Sequence, residues 1–276
     1  MKSAVTAAAA LAAAAWAVAP CAAAPAADHH PGETHHRHGS LHFSHPIIAE
    51  SPSPDTKVRL DYFFMDVENE DGSGTANRFR FEGEYAFHRS FSVELDFPVE
   101  SVNPDGEASR SNVGNVEIAL KFANFVFEEH RLLLGYGIEF GLPTGDEAKG
   151  IGSDHLLEFE PFLNVGYKSG KLEAVSFATF GIPTNQGTGE EVETELGYDF
   201  SLLYHFVPRL QGLLELDGET VLSGDEQGHT VVNLTPGLKI APRPASSLQV
   251  GLAAGFPVTG AEEFDVRTVL SVFYHF

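Results

Sequence analysis

Seven of the thirteen histidines in this chain of 276 residues crowd into one stretch, D-H-H-P-G-E-T-H-H-R-H-G-S-L-H-F-S-H, as His29, His30, His35, His36, His38, His42 and His45. Neutral imidazole ligates zinc, copper and nickel, and closely spaced imidazoles let a flexible segment wrap one ion without a preformed site. The spacing matches no defined metal motif, so a low-complexity tail that binds such ions unselectively is the plainer alternative. Asp66, Glu68, Glu70 and Asp71 could gather calcium, but an EF-hand loop starting at Asp66 needs glycine where Asp71 stands. These four read as a solvated acidic loop. Gly72-Ser73-Gly74 lacks the third glycine and the following helix of a nucleotide loop, and reads as a hairpin tip. Ser201 and His205 share one face of an extended segment, yet one such pair is expected by chance, so no catalytic residue is assigned and an enzyme is not expected.

The remaining chemistry lies in carboxylates spaced by two. From Thr56 onward the chain divides into about twelve alternating segments without helical periodicity. Val58, Leu60, Tyr62 and Phe64 alternate with Lys57, Arg59 and Asp61. Phe79, Phe81, Tyr85 and Phe87 alternate with Arg78, Arg80, Glu82 and Glu84, and the pattern recurs to the last segment, Phe264 to Phe276. A strand sends successive side chains to opposite faces, so each segment has one apolar and one polar or mixed face. The polar faces collect Arg59, Arg78, Arg80, Glu82, Glu84, Glu94, Asp96, Glu117, Lys121, Glu139, Glu158, Glu160, Glu193, Glu195, Asp199, Glu215, Asp217, Glu219 and Arg267. The segment from Leu172 to Phe180 is the weakest, and its faces cannot be assigned from composition.

Connections between the segments alternate in length. His88 to Ser90, Glu128 to His130, Lys168 to Lys171, Val207 to Arg209 and Ala241 to Ser246 are short. Glu68 to Asn77, Ser101 to Val113, Gly141 to Asp154, Gly181 to Glu191 and Leu222 to His229 are long. Short turns on one end and long loops on the other, with an even strand number, is the pattern of a transmembrane antiparallel up-and-down β-barrel of the bacterial outer membrane. The His-rich segment and Phe276 then fall together on the periplasmic side, where the segment could capture a transition-metal ion or fold into the lumen. A terminal strand finishing in Tyr274-His275-Phe276 resembles the assembly signature of such barrels and implies the barrel-assembly machinery and outer-membrane lipid as partners.

The rest of the chain agrees. Residues 1–27 carry Lys2 and an apolar run from Ala7 to Val18, too short to span a bilayer, and read as a signal peptide. Pro20 before Cys21, the only cysteine, argues against a lipoprotein box. Residues 28–55, His-rich and then Ser51-Pro52-Ser53-Pro54, are expected to be a disordered periplasmic segment, and residues 56–276 the barrel. With 17 Lys plus Arg against 39 Asp plus Glu, a formal charge of −22, the chain would repel nucleic acid.

Phe140-Gly141-Leu142-Pro143-Thr144-Gly145-Asp146 follows one ascending strand, with echoes at Phe180-Gly181-Ile182-Pro183-Thr184, Gly255-Phe256-Pro257-Val258-Thr259-Gly260 and Phe97-Pro98-Val99. These read as strand terminators with an aromatic girdle rather than as a binding motif. The Leu142 to Asp146 motif, within the alternating pattern from Val58 to Phe276, also resembles the outer-membrane barrels of the MetA-pathway of phenol degradation family, which implies a porin-like or transporter-like barrel and no catalytic residues. The expected function is a channel or transporter for small solutes or ions, its acidic lumen favouring cations and its tail linking it to transition-metal handling. Paired lumen charges filling a narrow, plugged pore fit the same pattern. Two alternatives are a soluble periplasmic β-protein binding metal or an apolar ligand, and a structural barrel without transport.

Overall fold

The computed structural model describes residues 41–69, 72–185, 193–244, 246–260 and 263–276. The leader and five of the tail histidines, His29, His30, His35, His36 and His38, lie outside them. Thirteen strands form one antiparallel sheet: β1 (Lys57–Asn69), β2 (Gly72–His88), β3 (Phe91–Pro104), β4 (Arg110–Val113), β5 (Val116–Phe127), β6 (Leu132–Leu142), β7 (Leu156–Ser169), β8 (Leu172–Asn185), β9 (Glu195–Val207), β10 (Leu210–Val221), β11 (Thr230–Ile240), β12 (Leu248–Pro257) and β13 (Val266–His275). β4 is a short spur beside the outer end of β3; the other twelve each pair with their chain neighbours. β1 also pairs with β13 from Lys57↔His275 to Asp66↔Val266, which closes the ring of twelve strands.

Alternation decides what faces where. Large apolar side chains such as Leu60, Phe81, Phe87, Leu163, Leu238 and Leu252 stand exposed on the outside, Leu163 at 65 %. Their ionic neighbours Arg59, Glu82, Glu84 and Lys121 are buried inside. An apolar exterior over a charged interior inverts the soluble pattern and is the outer-membrane solution, so the soluble alternative is set aside. At the short-turn end a chain of rings runs Tyr85, Phe87, Phe91, Phe122, Tyr136, with successive centroids 4.7, 5.8, 4.9 and 5.5 Å apart. Tyr274 and Phe276 meet edge-to-face at 5.1 Å on the same rim, and the Phe276 N–H donates to the Thr56 carbonyl at 3.0 Å, continuing the β1–β13 seam. Such a girdle suits the membrane interface.

Three expectations need correction. The first long loop is mostly strand: the β1–β2 ladder runs to Asn69↔Gly72, because glycine and small polar residues still pair once the ladder is under way. Pro98 and Pro183 do not end strands but sit within β3 and β8. Pro98 falls just past Asp96↔Glu117, where β3 loses β5 as a neighbour, so its missing N–H costs no ladder bond on that side, and its carbonyl accepts from Gly114. The third concerns residues 41–55, expected to be disordered up to the barrel. Leu41, Phe43, His45, Ile47, Ala49, Ser51, Ser53 and Asp55 are buried instead, and this segment lies within the barrel at its short-turn half.

Candidate functional site

The lumen is the place where the sequence-predicted residues meet, and the segment 41–55 occupies its short-turn half. A plug of irregular backbone must find partners for its polar groups, and the barrel wall supplies them. The Glu215 carboxylate, fully buried on β10, accepts from the N–H groups of Ile47 (3.0 Å), Ile48 (3.1 Å) and Ala49 (3.2 Å) and from the Ser201 hydroxyl (2.5 Å). Glu173 accepts from the Ser44 N–H at 2.8 Å. Plug carbonyls accept in turn from wall cations and amides: His42 from Lys168, His45 from Lys239, Ile47 from Arg59 and Ser51 from Asn164.

Apolar side chains complete the seat. Leu41, Phe43 and Ile47 pack into a cluster with Ala123, Leu133, Val175, Leu203, Leu213, Ala253 and Val269, all lumen-facing residues of seven different strands. Phe43 lies so close over Gly166 of β7 that a Cβ there would stand 2.8 Å from its ring, so glycine is required by the close approach. Burying a side chain of this size contributes about 1.5–3 kcal/mol. The segment therefore has both the apolar area and the hydrogen bonds to stay in place.

Around the plug the predicted lumen residues sort into two walls. On β1, β2, β3 and β5 the cations are enclosed by carboxylates. Lys57 pairs with Glu82, Glu84 (2.8 Å) and Glu94 (3.2 Å), and Lys121 with Glu84 (3.2 Å) and Glu94 (3.4 Å). Arg59 meets Asp61 at 2.8 Å and Glu82 at 3.5 Å, while Arg80 meets Asp61 at 2.7 Å and Asp96 at 3.9 Å. Glu50 of the plug joins this network, 2.5 Å from Lys121 and 3.8 Å from Lys57. Arg78 pairs with Glu100 (2.9 Å) at the outer rim, and Arg267 with Asp217 (2.7 Å) on β13 and β10.

The facing wall is different. Glu117, Glu139, Glu158, Glu160, Glu195, Asp199 and Glu219 point inward from β5, β6, β7, β9 and β10, and among the described residues no lysine or arginine lies within 4.0 Å of their carboxylates. Glu139 and Glu160 are direct cross-strand neighbours. Glu158, Glu160, Glu195, Asp199 and Glu219 border two adjoining cavities of about 250 and about 180 Å³ that share Thr179, Gly197 and Glu219, and Ile48 of the plug forms part of the floor. Small residues open this space: a Cβ on Gly181 would stand 2.8 Å from a Glu158 oxygen.

Of the predicted lumen residues, Glu193 is placed otherwise, in the approach to β9, where it accepts from the Glu226 N–H at 2.9 Å in the outer loops. Ser201 and His205 do face inward but bind different carboxylates, Glu215 and Glu173. Lys57, Asp61, Lys168, Lys239 and His275 are lumen residues that parity alone could have supplied; Glu173 was hidden because its strand has no legible polar face. Of the tail histidines, His42 and His45 are described, both near Asp55.

The loop motifs share one device. In the Pro143-Thr144 version the Thr144 hydroxyl donates to the Gly114 carbonyl (2.8 Å) and accepts from Val116 N–H (2.9 Å). Thr184 donates to Leu157 (2.8 Å), and Thr259 accepts from Val232 (3.0 Å). Each threonine thus ties a strand end to its neighbour's backbone, which agrees with a structural role.

The fold is shared with solved outer-membrane barrels. An outer-membrane channel of the COG4313 group from Pseudomonas putida F1 superposes with a TM-score of 0.61 at 12% identity, over 80% of this chain and 96% of that one. The NanC porin gives 0.53 at 9% identity over 80% and 98%, and the KdgM porin 0.50 at 11% over 80% and 99%. No curated protein sequence matches the chain. A porin-like barrel of the outer membrane with a seated plug is thus what the twelve strands build, and with residues 64–267 matching its sequence profile, the chain belongs to the family described as "Putative MetA-pathway of phenol degradation".

Proposed function

We propose that this barrel is an outer-membrane channel for small solutes that prefers cations, transition-metal ions among them, and that residues 41–55 hold it closed until they are displaced. The observation that carries the reading is the carboxylate wall of Glu158, Glu160, Glu195 and Glu219, none of them within 4.0 Å of a lysine or arginine among the described residues, which borders the cavities beside Ile48. Carboxylates within low-dielectric walls concentrate counter-ions, and here the wall cations are held in pairs with other carboxylates. Outer-membrane lipid around the apolar exterior and the barrel-assembly machinery, engaging Tyr274 and Phe276, are the partners this reading requires. The test is reconstitution in planar bilayers under a KCl gradient, with the reversal potential giving the cation-to-anion ratio. A cation ratio well above one supports the proposal; an anion-selective channel, or a barrel from which residues 41–55 have been deleted without any gain in conductance, defeats it.

A further inference from the structure

At the short-turn end of the lumen one carboxylate oxygen is ringed by imidazoles. Asp55 Oδ2, where the plug runs into β1, lies 2.8 Å from His275 Nδ1 on β13, 3.3 Å from His45 Nε2 and 3.8 Å from His42 Nε2. The nitrogen of His45, that of His275 and an Asp55 oxygen all lie within 4.8 Å of one another, and all three residues are buried. The other Asp55 oxygen accepts from the Thr56 N–H at 2.7 Å, which fixes the carboxylate with its free edge toward the rings. His45 Nδ1 is buried without a hydrogen-bond partner, so the polar contacts of that ring are all on the Asp55 side.

We infer that His45 Nε2, His275 Nδ1 and Asp55 are ligands of one divalent transition-metal ion of the zinc class, with His42 beside them as the fourth. Two or three imidazoles and one carboxylate form a nitrogen-oxygen set suited to tetrahedral zinc, whose bonds of about 2.0–2.2 Å set neighbouring ligand atoms roughly 3.3–3.6 Å apart, so the contact to His275 has to open slightly and that to His42 to close slightly. Ligands must be unprotonated, so binding is expected to weaken as the imidazoles take up protons. Lys57 itself is enclosed by Glu82, Glu84 and Glu94, so the ion meets a compensated charge.

The site differs from a His-rich tail acting alone, because one ligand is contributed by the last barrel strand. The ion therefore clamps the plug to β13, and zinc favours the closed lumen. This deepens the metal-handling part of the proposed function and is independent of ion selectivity: an anion-selective channel leaves the clamp intact, and a site that ignores zinc leaves selectivity untouched.

The experiment is a calorimetric zinc titration of the metal-stripped, detergent-solubilised chain in which His29, His30, His35, His36 and His38 are alanine. Assembly of each sample is checked by its gel shift on heating. One zinc per chain is expected, with affinity at least about tenfold weaker in His275→Gln and in His45→Gln. Cobalt in place of zinc is expected to give an intense tetrahedral visible spectrum that both substitutions alter. If His275→Gln fails to assemble, His45→Gln, which lies outside the strands, decides in the same way. Absence of zinc binding by the parent chain, or unchanged affinity in an assembled variant, overturns the inference.

Discussion

Replacing Glu215 by alanine is expected to release the plug while leaving the barrel intact. The side chain sits at the middle of β10, yet three of its four partners, the N–H groups of Ile47, Ile48 and Ala49, belong to the plug. A net contribution of about 1 kcal/mol for each such bond gives about 3 kcal/mol for the set. At 1.4 kcal/mol per factor of ten, the ratio of seated to displaced plug should fall roughly a hundredfold. Leu41, Phe43 and Ile47 still favour the seat, so displacement becomes frequent rather than permanent. Single-channel recording in planar bilayers reads this directly, as openings that are rare in the parent chain and frequent in Glu215→Ala, with the amplitude of a chain that begins at Thr56. Heat-modifiability on gels reports whether the barrel remains assembled. An assembled Glu215→Ala barrel whose open fraction equals that of the parent would refute the reasoning, since it would mean that the carboxylate does not hold the plug.

Gly166→Leu should also unseat the plug, because the new side chain occupies the place of the Phe43 ring; greater accessibility of a cysteine placed at Phe43 to a water-soluble thiol reagent is the readout, and unchanged protection counts against it. Neutralising Glu139, Glu158 and Glu160 together should lower the cation-to-anion ratio in the reversal potential, whereas Glu82→Gln with Glu84→Gln should impair assembly, since these two carboxylates offset buried Lys57. Deleting Phe276 should reduce the assembled fraction, because the seam with Thr56 loses its last hydrogen bond and the rim loses a ring; membrane yield equal to that of the parent would argue against it.

Most of the barrel was legible in the chain. Period-two alternation, as in Val58 to Phe64 against Lys57 to Asp61, names both faces of a strand without reference to any other strand, and loop sorting then orders the strands. The lumen list followed from the same parity. Pairings did not, since whether Glu82 meets Lys57 or Glu139 stands without a cation depends on register and barrel curvature. That the tail could enter the lumen was legible, but the order and seat of the plug were not, for a related reason. Its sequence, with serines, prolines and histidines and only Leu41, Phe43 and Ile47 to bury, resembles a solvated linker when read alone, and becomes ordered only through partners such as Glu215, Glu173 and Lys239 far along the chain. The interrupted prolines misled in the opposite direction: Pro98 looks like a terminator unless one knows that β5 has already left that edge.

The contacts that seat the plug bridge 113 residues to Asn164, 168 to Glu215 and 194 to Lys239, while each barrel strand pairs mainly with its immediate successor. Contacts of such long sequence separation cannot form until the strands that supply them are in place. Seating therefore follows the pairing of the strands that supply its partners. Because β1 directly follows the plug and is also the strand that accepts β13, a barrel closed in the wrong register would misplace Asp55 and His275 relative to each other. The plug thus reports on correct closure from inside the molecule, and a chain that has closed wrongly remains open.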